Sequence, residues 1–395
     1  MIERLYSNHS NRGSCVTFVC DGMDAIRCVR ALWKAHHPTN ALVISTSLAE
    51  KDLEQERKVM HQAQRRVKGL MHRGASISKP FLVVCILLRM NYLFGQETFE
   101  VKDFGPDPGN LRMIVHLPPN MEADVKRYPM VVALHGCTQN AEELLEMTGW
   151  DKLADLREFI LLCPEQRSSN NVMHCFDWFR DKDAVGDKGE LASIMSMVEH
   201  VKRTWPIDTG RVFIYGVSAG AAMAVNAMVG HPTSFRAGAT IAGGPFLGNA
   251  SMVTAARSLG DPPDRTPPEW RAVVHESYPN ASGPWPRLIV MHGTKDKIVD
   301  QHASQELTDQ WLGLTGLDAE TDRSQVQMNG HPAISQLKYN DGAGRAVVTS
   351  FLFEGVGHAI VIDAGDGPCQ GGITGRRSVD LDFHSTCVIG DLFGL

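Results

Sequence analysis

Several features are missing from this 395-residue chain. No stretch reaches the roughly 18 consecutive apolar residues of a membrane-spanning helix, which argues against stable membrane insertion. Nine cysteines occur, an odd number, without a C-x-x-C pair or zinc-like spacing, so a structural metal site is not indicated. A surplus of positive charge is also lacking. The net charge of −6 gives no reason to expect a nucleic-acid partner. There is no internal repeat and no low-complexity tract.

What is present suits a globular protein with a sizeable core: 43% hydrophobic and 21% charged residues, in a chain long enough for one large domain or two ordinary ones. Charge is spread unevenly. Residues 1–80 hold 13 Lys/Arg against 7 Asp/Glu, and the remainder 26 against 38. That asymmetry separates an N-terminal extension, residues 1–96, from a domain over 97–395 that carries all the readable chemistry. Within the extension, Glu50–Arg73 has the composition of a solvated helix. Phe81–Leu88 is apolar, with Lys79 before it and Arg89 after it. The segment resembles the apolar part of a signal peptide, with Met71 as the start, and it equally suits a buried strand or helix, or untranslated upstream sequence that a start at Met90 would exclude.

From Thr98 onward the pattern is regular. Phe99–Val101 and Leu111–Leu117 read as antiparallel strands, and Met130–Leu134 as a strand buried on both faces. A helix over Ala141–Phe159 precedes a strand over Ile160–Cys163 that Pro164 should stop. Next come a helix over Gly189–Thr204, a strand over Val212–Tyr215, a helix over Ala219–Val229 and a strand over Ala237–Ala242. The proline-rich stretch 260–286 reads as an excursion or cap. Strand Leu288–Met291, helix Gln301–Leu312 and strand Ala346–Phe353 follow. Strand-helix alternation of this kind predicts an α/β domain with a mostly parallel central sheet and helices on both faces.

The chemistry centres on Gly216-Val-Ser218-Ala-Gly220, which directly follows an apolar strand and opens a small-residue helix. This G-x-S-x-G pattern is a nucleophile elbow, a serine on a tight strand-to-helix turn with glycines where a Cβ would clash. In the α/β-hydrolase arrangement an acid and then a histidine follow the serine. Asp296 follows the strand and glycine turn Leu288–Gly293, and His358 follows the strand and glycine turn Phe351–Gly357. Ser218 is thus the candidate nucleophile, His358 the base and later acid, and Asp296 the group that orients the imidazole. Asp300 competes with Asp296, and His292, His302 and Asp363 are weaker rivals.

An oxyanion site needs two amides. Ala219, first in the helix after the elbow, supplies one, and the loop after Met130–Leu134 supplies the other, from Cys137 or Thr138. His135, Thr138 and Trp178 are the candidate substrate contacts, with Trp178 and Phe179 as an apolar wall or as simple packing. A Cys137–Cys175 disulfide would clamp the oxyanion loop; otherwise both are small buried hydrophobes.

Together, Leu134-His-Gly-Cys-Thr-Gln-Asn140, Thr148-Gly-Trp150, Cys163-Pro-Glu-Gln166, Cys175-Phe-Asp-Trp-Phe179, the elbow, Gly283-Pro-Trp-Pro-Arg287, His292-Gly293 with Asp296, and Gly355-Val-Gly-His358 resemble the poly(3-hydroxybutyrate) depolymerase family of esterases. The resemblance covers about residues 98–395, including a final helix from Ser385-Thr386 toward Phe393-Gly-Leu395. Feruloyl and acetyl-xylan esterases are relatives of that family. The resemblance implies an α/β-hydrolase fold, Ser218-Asp296-His358 catalysis without metal or cofactor, an ester or polyester substrate, and an extracellular or periplasmic location, with the cytoplasm left open. Asp177 stands where asparagine is expected, and 181–188 lacks an arginine often found there. A feruloyl or acetyl-xylan esterase is the alternative, and a non-catalytic binding module on the same scaffold a third reading. The oligomeric state is not legible.

Overall fold

The computed structural model describes residues 97–395, apart from 120, 122–125, 249–250 and 329, together with three short strands near the N-terminus. The chain divides into two compact units, 1–93 and 94–395. In the first, β1 (Ile2–Asn8) pairs antiparallel with β2 (Cys15–Asp21), which pairs parallel with β3 (Leu42–Ser47). Sequence reasoning did not foresee these strands. The helix expected over Glu50–Arg73 and the apolar segment 81–88 lie outside the described residues.

The second unit is built on one ten-stranded sheet. Its strands are β4 (Glu97–Val101), β5 (Arg112–Leu117), β6 (Tyr128–Leu134), β7 (Ile160–Glu165), β8 (Ile207–Val217), β9 (Ala237–Ile241), β10 (Arg287–Gly293), β11 (Arg323–Gln327), β12 (Ile334–Asn340) and β13 (Ala346–Phe353). The spatial order is β11-β12-β13-β10-β9-β8-β6-β7-β5-β4. From β13 to β7 every neighbouring pair is parallel, and the two strands at each edge are antiparallel. A separate parallel pair joins β14 (Ile360–Ile362) to β15 (Ser378–Asp380).

Both faces of the sheet are covered, as the apolar strands demand. Along β6, Met130, Val132 and Leu134 join one core while Val131 and Ala133 join the other. On β10, Leu288 and Val290 face the first and Ile289 and Met291 the second, which is the period-two alternation of a strand. Helices α4 (Gly189–Thr204), α5 (Ala219–Gly230) and α8 (His302–Thr315) supply the first core. Helices α1 (Ala141–Thr148), α2 (Trp150–Arg157) and α9 (Ser385–Phe393) supply the second. Burying each Leu, Ile or Val contributes about 1.5–3 kcal/mol, so the sheet is the rigid element against which the loops are fixed.

Four differences from the sequence reading have physical causes. The helix expected over 141–159 is two helices, because Gly149 turns left-handed at φ 68° and its amide closes on Leu145 O. Strand β7 runs through Pro164 to Glu165. The ladder to β6 ends at Leu162, so Pro164 pairs only with β5, on a locally one-sided stretch that tolerates the missing amide. The stretch from 252 to 286 contains two helices, α6 (Met252–Gly260) and α7 (Pro267–Ser277). The latter starts with prolines in its first turn and a Thr266–Glu269 capping box. Strand β11, at the edge, and β12, beside it, were missed because their many polar residues leave no continuous apolar run.

Candidate active site

The elbow is forced by close packing. A Cβ on Gly216 would collide with the carbonyl of Gly220, and one on Gly220 with the carbonyls of Leu134 and His135. With both positions bare, β8 can turn directly into α5, and Ser218 takes φ 55°, ψ −120° at the junction. Such a conformation in a non-glycine residue costs of order 1–3 kcal/mol and persists only where the surroundings enforce it. Here the Ser218 amide donates to Ile241 O at 2.9 Å, and the Ala242 amide to Met291 O at 3.0 Å. These bonds tie the elbow to the ends of β9 and β10.

Asp296 and His358 are brought to the same edge by β10 and β13, adjacent parallel strands whose register ends with Gly293 opposite Phe353. Beyond the strands the two loops stay bonded. Thr294 N donates to Phe353 O at 3.0 Å, Lys295 N to Val356 O at 2.8 Å, and Gly355 N to Thr294 Oγ1 at 2.9 Å.

The resulting geometry joins the three side chains. His358 Nε2 lies 3.0 Å from Ser218 Oγ, and His358 Nδ1 lies 2.7 Å from Asp296 Oδ2. With Nδ1 protonated and donating to the carboxylate, Nε2 is free to accept the serine proton. The other Asp296 oxygen accepts from the amides of Ile298 and Val299 at 2.8 and 3.0 Å. Burial acts to raise the Asp296 carboxyl. Hydrogen bonds from His292, His358 and those two amides outweigh it and hold the group well below the usual carboxylate range. His292 is buried behind the pair: its Nε2 donates to Val299 O at 2.9 Å and lies 3.5 Å from Asp296 Oδ2.

The rival residues are engaged elsewhere. Asp300 caps the chain by accepting from the His302 amide, His302 Nε2 lies 3.0 Å from Glu306, and Asp363 accepts from Gln370.

The oxyanion loop follows β6. Gly136 N donates to Gln139 Oε1, and the Thr138 amide is consumed by Met173 O at 2.6 Å. Thr138 is thereby removed as an oxyanion donor. The amides of Cys137 and Ala219 have no acceptor among the described residues, and both residues border the same cavity as Ser218. Ala219 N also lies at the positive end of α5. Cys137 is joined to Cys175 by a disulfide, which ties this loop to the segment carrying Met173 and Trp178.

One candidate is misplaced. His135 is fully buried and does not reach the cavity. Its Nδ1 donates to Gly136 O at 2.8 Å, and its Nε2 accepts from the Gln166 amide at 3.0 Å. Burial depresses its pKa to about 4, so it is a neutral strut beneath the oxyanion loop rather than a substrate contact.

Thr138 and Trp178 do border the cavity, a space of about 270 Å³ walled largely by Met173, Leu247, Leu259, Ile298 and Val299. Met173 and Ile298 are 54% and 58% exposed, so the mouth has an apolar rim. Asp177 is buried and paired with Arg180 at 2.8 Å, so an arginine outside 181–188 neutralises it.

Sequence reasoning missed three supports. Glu190 receives the Asp177 amide at 2.8 Å and the Gln166 side-chain amide, joining the two ends of the loop that carries Cys175. Cys369 and Cys387 form a second disulfide. Arg377 reaches the cavity from the loop before β15. A glutamate in the first turn of α4 was a visible signal for the first; the other two had none. Two further groups of ligating side chains, Asp264/His302/Glu306 and Asp363/Asp380/Asp382, border no part of the cavity.

Comparison with known proteins shows the family and the fold. The family model for esterase PHB depolymerase matches residues 111–329. Poly(3-hydroxyalkanoate) depolymerase C of Paucimonas lemoignei is 33% identical, over 84% of this chain and 78% of its own. Feruloyl esterase B of Talaromyces stipitatus is 29% identical, over 71% and 77%. Among solved structures, the acetyl xylan esterase from Aspergillus awamori superposes with a TM-score of 0.60 at 24% identity, covering 66% of this chain and 94% of that one, a likeness of fold. With a serine elbow in a mostly parallel sheet and a family model spanning more than half its length, the chain belongs to the esterase PHB depolymerase family and is a carboxylic ester hydrolase of the α/β-hydrolase fold.

Proposed function

We propose that residues 97–395 form a serine esterase that cleaves hydroxyalkanoate polyesters or their oligomers, with Ser218, His358 and Asp296 as its catalytic triad. The carrying observation is the hydrogen-bonded relay of these three groups opening into an apolar cavity with an exposed apolar rim. Ser218 Oγ attacks the ester carbonyl carbon as its proton passes to His358 Nε2. The Cys137 and Ala219 amides stabilise the oxyanion, each worth roughly 3–4 kcal/mol in barrier. Collapse breaks the bond to the alkoxy oxygen, which leaves as an alcohol with the proton from His358. Water, deprotonated by His358, then attacks the acyl-enzyme and frees the acid. Asp296 stays ionised and stabilises the imidazolium at each stage.

The rim of Met173 and Ile298 supports a polyester substrate, because an aliphatic chain gains by lying across it. Two disulfides in the catalytic unit support an oxidising compartment, outside the cytoplasm. No helix among the described residues is long and apolar enough to cross a membrane. Assay of p-nitrophenyl butyrate, amorphous polyhydroxybutyrate and a feruloylated sugar side by side tests the reading. Release of 3-hydroxybutyrate oligomers supports it; turnover of only the feruloylated sugar assigns the enzyme to plant-polysaccharide esters instead.

A further inference from the structure

Among the residues that line the cavity beside Ser218, the one arginine or lysine is Arg377, which stands outside the relay. Its carbonyl accepts from Ile360 N at 2.8 Å, just beyond His358, and its Nη2 donates to Thr138 Oγ1, next to Cys137. The guanidinium is thus pinned between the loop of the base and the loop of the oxyanion site. The arginines with a carboxylate partner among the described residues are Arg112, Arg157, Arg180 and Arg345; Arg377 is not one of them. Among the described residues its one side-chain hydrogen bond goes to a neutral hydroxyl, which leaves most of its donors available in the planar fork that fits a carboxylate.

An unpaired guanidinium beside a nucleophile matters only for esters that carry an anion near the scissile bond. Acetylated and feruloylated sugars carry none there. A free hydroxyalkanoate oligomer always does, because its terminal carboxylate lies a few bonds beyond its last ester oxygen. Resting on the polyester reading above, we propose that Arg377 binds this terminal carboxylate and directs cleavage to the last ester of a free-acid chain. The acyl carbon bonds to Ser218 Oγ, the bond to the alkoxy oxygen breaks, and His358 protonates that oxygen. A 3-hydroxyalkanoate anion leaves, its carboxylate having stayed on Arg377. Water then releases the shortened chain.

The test compares the linear trimer of 3-hydroxybutyrate with its carboxyl-blocked methylamide, following release of the terminal unit by the full-length protein. The readout is the ratio of the two kcat/KM values, so that any general effect on turnover divides out. Wild type should favour the free acid by about tenfold or more, as one charge-assisted contact near solvent provides. Arg377→Met should bring the ratio to about one, mainly through KM for the free acid, and Arg377→Lys should keep part of the preference. A wild-type ratio near one, or an Arg377→Met variant that loses both substrates equally, would overturn the proposal and leave Arg377 as a prop for the Thr138 loop. If wild type turns over p-nitrophenyl butyrate but neither trimer, the polyester reading itself fails, and this inference with it.

Discussion

The reaction centre and the walls around it are held by different means. Ser218, Asp296 and His358 each sit just past the carboxyl end of a strand of the parallel sheet. Their mutual position is inherited from strand register and from the hydrogen bonds between the loops. Two of the segments that border the cavity, around 167–180 with Met173 and Trp178 and around 363–378 with Arg377, have no such ladder at the site. Disulfides, buried polar contacts to Glu190 and Gln166, and the short strand β15 fix them instead. The chemistry therefore rests on the cooperative core, while substrate choice rests on a few local ties that single substitutions can alter.

The largest expected effect breaks the sheet-held part. Ser218→Ala should lower kcat by a factor on the order of 10⁶, while circular dichroism and the melting temperature stay close to wild type. Retained turnover would remove Ser218 from the mechanism. Asp296→Asn should cost about 10⁴ in kcat, because the amide no longer selects the tautomer that leaves Nε2 free. Since Asp296 is held below the usual carboxylate range, it remains ionised in mild acid. Its deprotonation should then leave no step in the wild-type kcat/KM profile between mildly acidic and neutral pH, and activity should not rise toward acid. Activity that rises toward acid would contradict this assignment.

Smaller effects probe the tie-held part. Replacing both Cys137 and Cys175 by serine should lower kcat about 10²-fold, as the loop carrying one oxyanion amide loosens. Stability should fall by about 2–4 kcal/mol, measured by denaturant unfolding. Unchanged kcat would show that the loop needs no clamp.

The last prediction concerns Glu190. Burial pushes its carboxyl up to about 8, against the hydrogen bonds from the Asp177 amide and Gln166. The fold thus favours the protonated form. This contribution to stability is complete below the unfolded value and is lost as pH rises through about 8. The melting temperature should decline across that interval, and Glu190→Gln should flatten the decline. An identical slope in the variant would refute the assignment.

The division between sheet and ties also marks what the sequence could disclose. Apolar runs such as Met130–Leu134 and Leu288–Met291 announce strands buried on both faces, and a polar residue just after such a run is conspicuous. The convergence of Ser218, Asp296 and His358 was readable for that reason, as was most of the sheet. Gly149 was visible but its left-handed turn was not, so two helices read as one. His135 looked like a cavity residue because it lies beside Gly136, yet strand direction turns its ring inward toward Gln166 and Phe176. Arg377 lies 239 residues along the chain from Thr138, Cys369 and Cys387 are 18 residues apart, and no periodicity points from one partner to the other. Contacts made by irregular loops leave no local pattern.

The most direct test is covalent labelling with phenylmethylsulfonyl fluoride, which reacts with a serine only when a neighbouring base activates it, followed by peptide mapping. Wild type should carry one adduct, on Ser218, formed in parallel with loss of esterase activity, and His358→Ala should label far more slowly. An adduct on another residue, or labelling of Ser218 at an unchanged rate in His358→Ala, would contradict the relay.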